Sequence, residues 1–195
     1  MIYTYGYIFY IPITLIFITP FIIMGVVNKR PIAYYLFVGI FVIYLNMAIK
    51  IAFFPLIIED ISEFDYIYNV KFSLNLFEAS KIHLLLNVLL TLPIGIGLQF
   101  ITNLTIKGRL VVAVLSGMSF EMIQLIILVL FKPINIFFDA NDLFCNITGV
   151  LIGLLVIHFV NIFIKKKSIS SKNSFIVYIK NVCINSANKK KSLEF

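Results

Sequence analysis

Five apolar stretches, Tyr7–Val27, Ile32–Ile58, Ile82–Ile101, Leu110–Phe131 and Asn146–Ile164, fill most of a chain of 195 residues. Each has about the 20 residues that a helix needs to cross the hydrocarbon of a bilayer. A soluble domain carries roughly a quarter of its residues as charges; here 13% are charged and 61% hydrophobic, with a mean hydropathy of +1.04. One core at this chain length cannot hide so much apolar surface. The sequence therefore predicts an all-α membrane protein, a bundle of about five transmembrane helices over 1–164, followed by a lysine-rich tail over 165–195. The alternating ten-residue segments of a membrane barrel are missing, and there is no internal repeat. No basic residue precedes the first stretch and no small-residue cleavage site follows it, so it is expected to stay as a helix. The second stretch is interrupted by Asn46, Lys50 and Pro55, which leaves its far end open.

Short cytoplasmic loops retain Lys and Arg, and here those residues segregate. With the N-terminus outside, Lys29, Arg30, Lys107, Arg109 and the eight lysines from Lys165 to Lys191 face the cytoplasm, against Lys71, Lys81 and Lys132 outside: twelve to three. The expected topology is N-terminus out and C-terminus in. The net charge of +7 is then a topology signal. Nucleic acid is not an expected partner, because the tail lysines are dispersed and no recognition motif accompanies them. The tail segment SFIVYIKNVCIN places Phe175, Ile179 and Val182 on one helical face, which would lie on an anionic leaflet; a floppy tail is the competing reading. Cys145 and Cys183 fall on opposite sides in this topology, so no disulfide is expected, and no spacing suggests a metal or cofactor. The external segment 59–81 carries Glu59, Asp60, Glu63, Asp65 and Glu78 among aromatic residues. It is long for a connector and is expected to rest on the outer interface or fold back onto the bundle.

Depths follow from a rise of 1.5 Å per residue. His83 and Asn87 share a face of the third span, with Asn87 roughly 8 Å below its outer end; Pro93, Gly95 and Gly97 follow deeper. Glu121 falls near the midplane of the fourth span and Gln124 one turn further out. In the fifth, Asp142, Asn146, Gly149 and Gly153 form one stripe, and the glycines let a neighbour approach closely. Three helices thus aim polar groups into the outer half of the membrane. Asn87, Gln124 and Asn146 are equally well read as interhelical hydrogen-bond partners, Gly149 and Gly153 as packing, His83 as an interfacial histidine, and Lys50 and His158 as snorkelling or facing the bundle. Glu121 resists that treatment. A carboxylate near the bilayer centre costs about 2.5–3.5 kcal/mol or more, so it must be protonated, paired or facing a wet cavity, with Lys50 and His83 the nearest partners by depth.

The ordered set Asn87–Pro93–Gly95, then Glu121–Gln124, then Phe138–Asp139–Asp142–Asn146–Gly149–Gly153 resembles the VanZ-like family of bacterial integral membrane proteins. Phe54–Pro55 and Asn75–Leu76 are similar to further elements of that family. Two departures stand out: the family's Arg ahead of the Phe-Asp pair is replaced by Asn135-Ile136-Phe137, and Phe77-Glu78 follows Asn75-Leu76. Lys132 could replace the arginine only with poorer geometry. The resemblance implies a multi-pass protein of the bacterial cytoplasmic membrane, in a family named for a protein linked to low-level teicoplanin resistance. It implies no mechanism.

Four functions remain open on this reading. One is an envelope protein that binds a lipid-linked wall precursor or an amphiphilic antibiotic at a polar site of Asn87, Glu121, Gln124, Asp139, Asp142 and Asn146. Another is an intramembrane enzyme with Glu121 as acid/base and the other acids orienting a lipid or wall precursor. The third, a proton-coupled transporter, has against it the small number of spans and the lack of a repeat. The fourth is a structural scaffold. The subunit number is open.

Overall fold

A computed structural model gives the fold and describes residues 3–5, 10–54, 56–58, 72–73, 80–133, 136–166 and 173–188. In chain order these form β1 (Tyr3–Tyr5), α1 (Tyr10–Val27), α2 (Ile32–Phe53), β2 (Leu56–Ile58), β3 (Phe72–Ser73), α3 (Lys81–Ile101), α4 (Ile106–Phe131), β4 (Phe138–Asp139), α5 (Ala140–Lys166) and α6 (Ser174–Asn188). The fold is mostly helical. Helices α2 to α5 are each long and apolar enough to cross a membrane, and Thr14–Val27 of α1 is a shorter apolar helix.

Local chemistry sets the helix ends. Helix α2 stops at Phe53 because the next residue precedes Pro55 and is driven out of the helical region; Phe54 sits at φ −131° and ψ 149°. The far end that the sequence left open therefore falls five residues short of Ile58. Helix α4 begins earlier than the apolar count predicts, since Thr105 caps it by accepting from the Gly108 N–H at 3.2 Å. Helix α5 likewise starts at Ala140, so Asp142 lies in its first turn.

One end of the bundle is basic. It holds the α1–α2 turn with Lys29 and Arg30, the α3–α4 turn with the first residues of α4, among them Lys107 and Arg109, and α6; Arg30 donates to Asn103, tying the two turns together. The tail segment is a docked helix and not a floppy one. Phe37 of α2 stacks between Phe100 and Phe175 at centroid distances of 4.4 and 5.2 Å, and the Tyr178 hydroxyl donates to the Phe100 carbonyl at 2.7 Å.

The opposite end carries two short pairings. β1 runs antiparallel to β2, and β3 pairs in parallel with β4, placing Phe72 beside Phe138 and Ser73 beside Asp139. Part of the 59–81 segment thus folds back onto the turn before α5. Its acids Glu59, Asp60, Glu63, Asp65 and Glu78, the Asn75–Leu76 and Phe77–Glu78 pairs, Pro55 and Asn135 all lie outside the described residues.

The tightest packing joins α3 to α5. A Cβ on Gly153 would sit 2.1 Å from the Leu92 carbonyl oxygen, and one on Gly95 would sit 2.1 Å from that of Val150. Only glycine permits backbones to approach this closely. Helix α4 joins at Gly117, where a Cβ would lie 2.9 Å from Ile147 Cα. The large aliphatics on the other faces, such as Ile40, Ile43 and Met47 of α2 and Val129 and Leu130 of α4, point outward, as they would toward lipid. Pro93 withdraws one amide donor from the α3 ladder, and in that turn the Tyr44 hydroxyl of α2 donates to the Leu90 carbonyl.

Candidate functional site

Glu121 is 1% exposed and faces α5, where the Asn146 amide Nδ2 donates to its Oε1 at 3.1 Å. Its other oxygen, Oε2, is buried and has no fully formed hydrogen bond among the described residues, although the Asp139 backbone N–H lies close to the carboxyl. The charges of Asp142 and Asp139 both reach this carboxyl, so three acids from α4, β4 and α5 share one neighbourhood. Neither Lys50 nor His83 pairs with Glu121, as depth alone had suggested. Lys50 is exposed, and His83 Nε2 lies 3.0 Å from Asp142 Oδ2. Because the His83 side chain is 57% exposed, that pair is a weak one in water and stronger only where it is shielded.

Asn146 is held from the other side too. Its backbone carbonyl accepts from the Thr91 hydroxyl at 2.8 Å, and Thr91 also donates to the Asn87 carbonyl at 3.0 Å. Thr91 is fully buried and was not singled out from the sequence, although it continues the His83–Asn87 face by four residues. The Asn87 amide lies beside the Asp142 carboxylate, but its Nδ2 is short of a formed bond, as is Asp142 Oδ1. Asn146 Oδ1 has no donor either. The cluster therefore holds buried polar atoms of both kinds without formed bonds, oxygens of Glu121, Asp142 and Asn146 and the amide nitrogen of Asn87.

Two predicted site residues do structural work. Asp139 caps α5: its Oδ1 accepts from the Asn141 backbone N–H at 2.8 Å and from the Asn141 amide at 2.9 Å. Gln124 turns away from the cluster toward α2, where its Nε2 donates to the Ala52 carbonyl at 3.1 Å. That carbonyl is in the last turn of α2 and has no intrahelical donor. His158 is exposed and does not face the bundle; its nearest aromatic contact is the edge of Phe159 on the same helix. Gly149 and Gly153 lie against α3, where a Cβ on Gly149 would be 2.2 Å from Thr91 Oγ1. Lys132 takes a left-handed conformation, φ 46°, as the C-cap of α4. No three His, Cys, Asp or Glu side chains gather as a metal site among the described residues.

A second polar cluster at the basic end escaped the sequence reading. Gln99 of α3 and Asn161 of α5 exchange two amide bonds at 2.7 and 2.8 Å, and Arg109 Nη1 donates to Gln99 Oε1 at 2.7 Å. All three side chains are buried. Cys183 of α6 is 0% exposed and accepts from Gln99 at 3.7 Å; burial pushes its thiol up to about 11. The signal was present in the four-residue steps Asn87–Thr91–Gly95–Gln99 and Gly149–Gly153–Ile157–Asn161.

Fold and site together define a helical protein with four membrane-length apolar helices and a buried acid–amide cluster near one end. The chain matches no protein-family model, no curated protein and no solved structure.

Proposed function

We propose that the chain is a VanZ-like, five-span protein of the bacterial cytoplasmic membrane, N-terminus out and C-terminus in. It would bind the polar part of a lipid-linked wall precursor or of an amphiphilic glycopeptide antibiotic at the Asn87–Glu121–Asp142–Asn146 cluster. The observation that carries this reading is a group of buried polar atoms with no formed hydrogen bond among the described residues: Glu121 Oε2, Asp142 Oδ1, Asn146 Oδ1 and Asn87 Nδ2. A buried polar atom without a partner costs about 1–3 kcal/mol, so this end of the bundle favours a ligand that brings hydrogen-bonding groups of its own. Wall precursors and glycopeptides carry many amide, amine and hydroxyl donors on a lipophilic anchor. The pairing of Phe72–Ser73 with Phe138–Asp139 puts a second chain segment beside the cluster, where it would contact such a headgroup.

The test is the glycopeptide sensitivity of a deletion strain complemented with wild type, Glu121→Gln or Asp142→Asn, with membrane abundance followed by immunoblot. Wild type is expected to protect, and both variants to accumulate normally without protecting. Equal protection by both variants, or no difference between deletion and wild type, overturns the reading.

A further inference from the structure

The basic end holds a cavity of about 80 Å³ between the bundle and α6, lined by Arg30, Gln99, Asn103, Arg109, Tyr178 and Asn185 among others. A water molecule needs roughly 10–15 Å³ of such space, so the cavity has room for a tetrahedral oxyanion. We propose that it is a binding site for a phosphate-class anion, either the phosphate of an anionic lipid headgroup or that of a free phosphorylated solute. This proposal concerns the other end of the bundle and does not depend on the function proposed above.

Three independent features point to an anion. The first is the side-chain inventory of the wall. Its side chains include two guanidinium groups and the amides of Asn103 and Asn185, and no carboxylate among the described residues; the described acids, Glu121, Asp139 and Asp142, cluster toward the opposite end. The second is how the arginines are held. Arg109 is 6% exposed and anchored by Gln99 at 2.7 Å, and that amide is itself locked by Asn161. Arg30 is set by its bond to Asn103 and by the Tyr34 ring, 5.7 Å from its Cζ, while its buried Nε has no acceptor. Guanidinium groups fixed from behind match the oxygens of a phosphate with little entropy left to lose. The third is the backbone. Arg109 lies in the first turn of the 26-residue α4, where the positive end of the helix dipole favours an anion.

Helix α6 forms one wall of the cavity. Tyr178 and Asn185 of α6 line the cavity together with Arg30 and Arg109, so an anion bound there would bridge α6 to both basic turns. Occupancy should therefore tighten the docking of the tail helix as well as stabilise the bundle.

The experiment uses the full chain purified in neutral detergent, judged monodisperse by gel filtration, with thermal stability as readout. Inorganic phosphate is titrated against chloride at constant ionic strength, and in a second arm phosphatidylglycerol is titrated against phosphatidylcholine in the micelle. Arg30→Gln and Arg109→Gln are compared with Lys107→Gln, a change at an exposed lysine of the same end. Stabilisation by phosphatidylglycerol alone identifies a lipid phosphodiester, and stabilisation by free phosphate identifies a solute. In either case apparent affinity should fall at least tenfold in Arg30→Gln and less than twofold in Lys107→Gln. If Arg109→Gln fails to fold, Arg30→Gln at the rim still decides. No stabilisation by either anion, or equal losses in Arg30→Gln and Lys107→Gln, overturns the site.

Discussion

Replacing Gly153 with alanine should separate α3 from α5, and the structure sets the size of the effect. The added Cβ would lie 2.1 Å from Leu92 O, 3.0 Å from Gly95 Cα and 3.1 Å from Ile96 N. All three are backbone atoms, so no side chain can swing aside. Ordinary contact begins near 3.4 Å, so the seam must open by about 1.3 Å. A shift of that size carries the 2.8 Å bond from Thr91 to the Asn146 carbonyl beyond hydrogen-bonding distance. Overpacking costs about 1–3 kcal/mol and an interhelical hydrogen bond about 0.6–1.7 kcal/mol, which together predict a loss of roughly 2–4 kcal/mol. Reversible unfolding by SDS in mixed micelles measures this. The internal control is Gly39→Ala, where the new methyl group would meet nothing within 4 Å; its change should stay within about 0.5 kcal/mol. If the two variants unfold alike, the close backbone contact does not hold the bundle together and the argument fails.

The same assay separates the roles of the buried polar groups. Glu121→Ala removes the acceptor of Asn146 Nδ2 and should cost about 1–3 kcal/mol. Glu121→Gln keeps an oxygen there and should cost less than about 1 kcal/mol; equal losses would mean the bond is not formed. At the basic end, a double-mutant cycle of Gln99→Leu and Asn161→Leu should give a coupling of about 0.5–3 kcal/mol, because each amide serves the other twice; additive losses would refute the pairing. Docking of α6 should weaken in alkali. The Cys183 thiol rises from 9.0 to about 11. Below that window the thiol is neutral whether docked or free, and within it only the free thiol ionises, so stability falls as pH rises. Proteolysis within α6 should quicken between about pH 9 and about pH 11, and Cys183→Ala should flatten that dependence. A wild-type rate unchanged over the interval would contradict the buried thiol.

How much of this was legible in the sequence differs by feature. The helices were legible because about twenty apolar residues admit few alternatives, and the end of α2 was readable in principle from Pro55. The Glu121–Asn146 contact was half legible: both residues fell at similar depth, but depth cannot say which neighbour turns its side chain toward which. That is why Lys50 and His83 were favoured partners of Glu121 while the structure gives it Asn146. Gln124 was read as a site residue from its polarity and depth, and Asp139 from the family resemblance. Their roles as helix caps depend on where α5 begins and α2 ends, which an apolar count fixes only to within several residues. Arg109 was read as a topology charge alone, since its partner Gln99 sits across a turn on another helix.

The two polar clusters and the glycine seam between them form one device. Helix α3 steps through Asn87, Thr91, Gly95 and Gln99, and α4 steps through Arg109, Ala113, Gly117 and Glu121, always by four residues. Helix α5 answers with Asn146, Gly149, Gly153, Ile157 and Asn161, all buried. Each stripe is polar at its ends and mostly small in its middle. Inside a bilayer, lipid tails satisfy apolar side chains as well as another helix does, so association must come from close packing and interhelical hydrogen bonds. Small residues in the middle bring the backbones near enough for short side chains such as Asn and Thr to reach across at the ends. Longer side chains on larger neighbours would hold the helices apart and strand the same polar groups in hydrocarbon, at about 1–3 kcal/mol each. The acid–amide cluster at one end and the arginine–amide cluster at the other therefore share a single structural cause, the three glycines at 95, 149 and 153. A substitution at any of them should perturb both ends together, whereas a polar substitution at one end should leave the other intact.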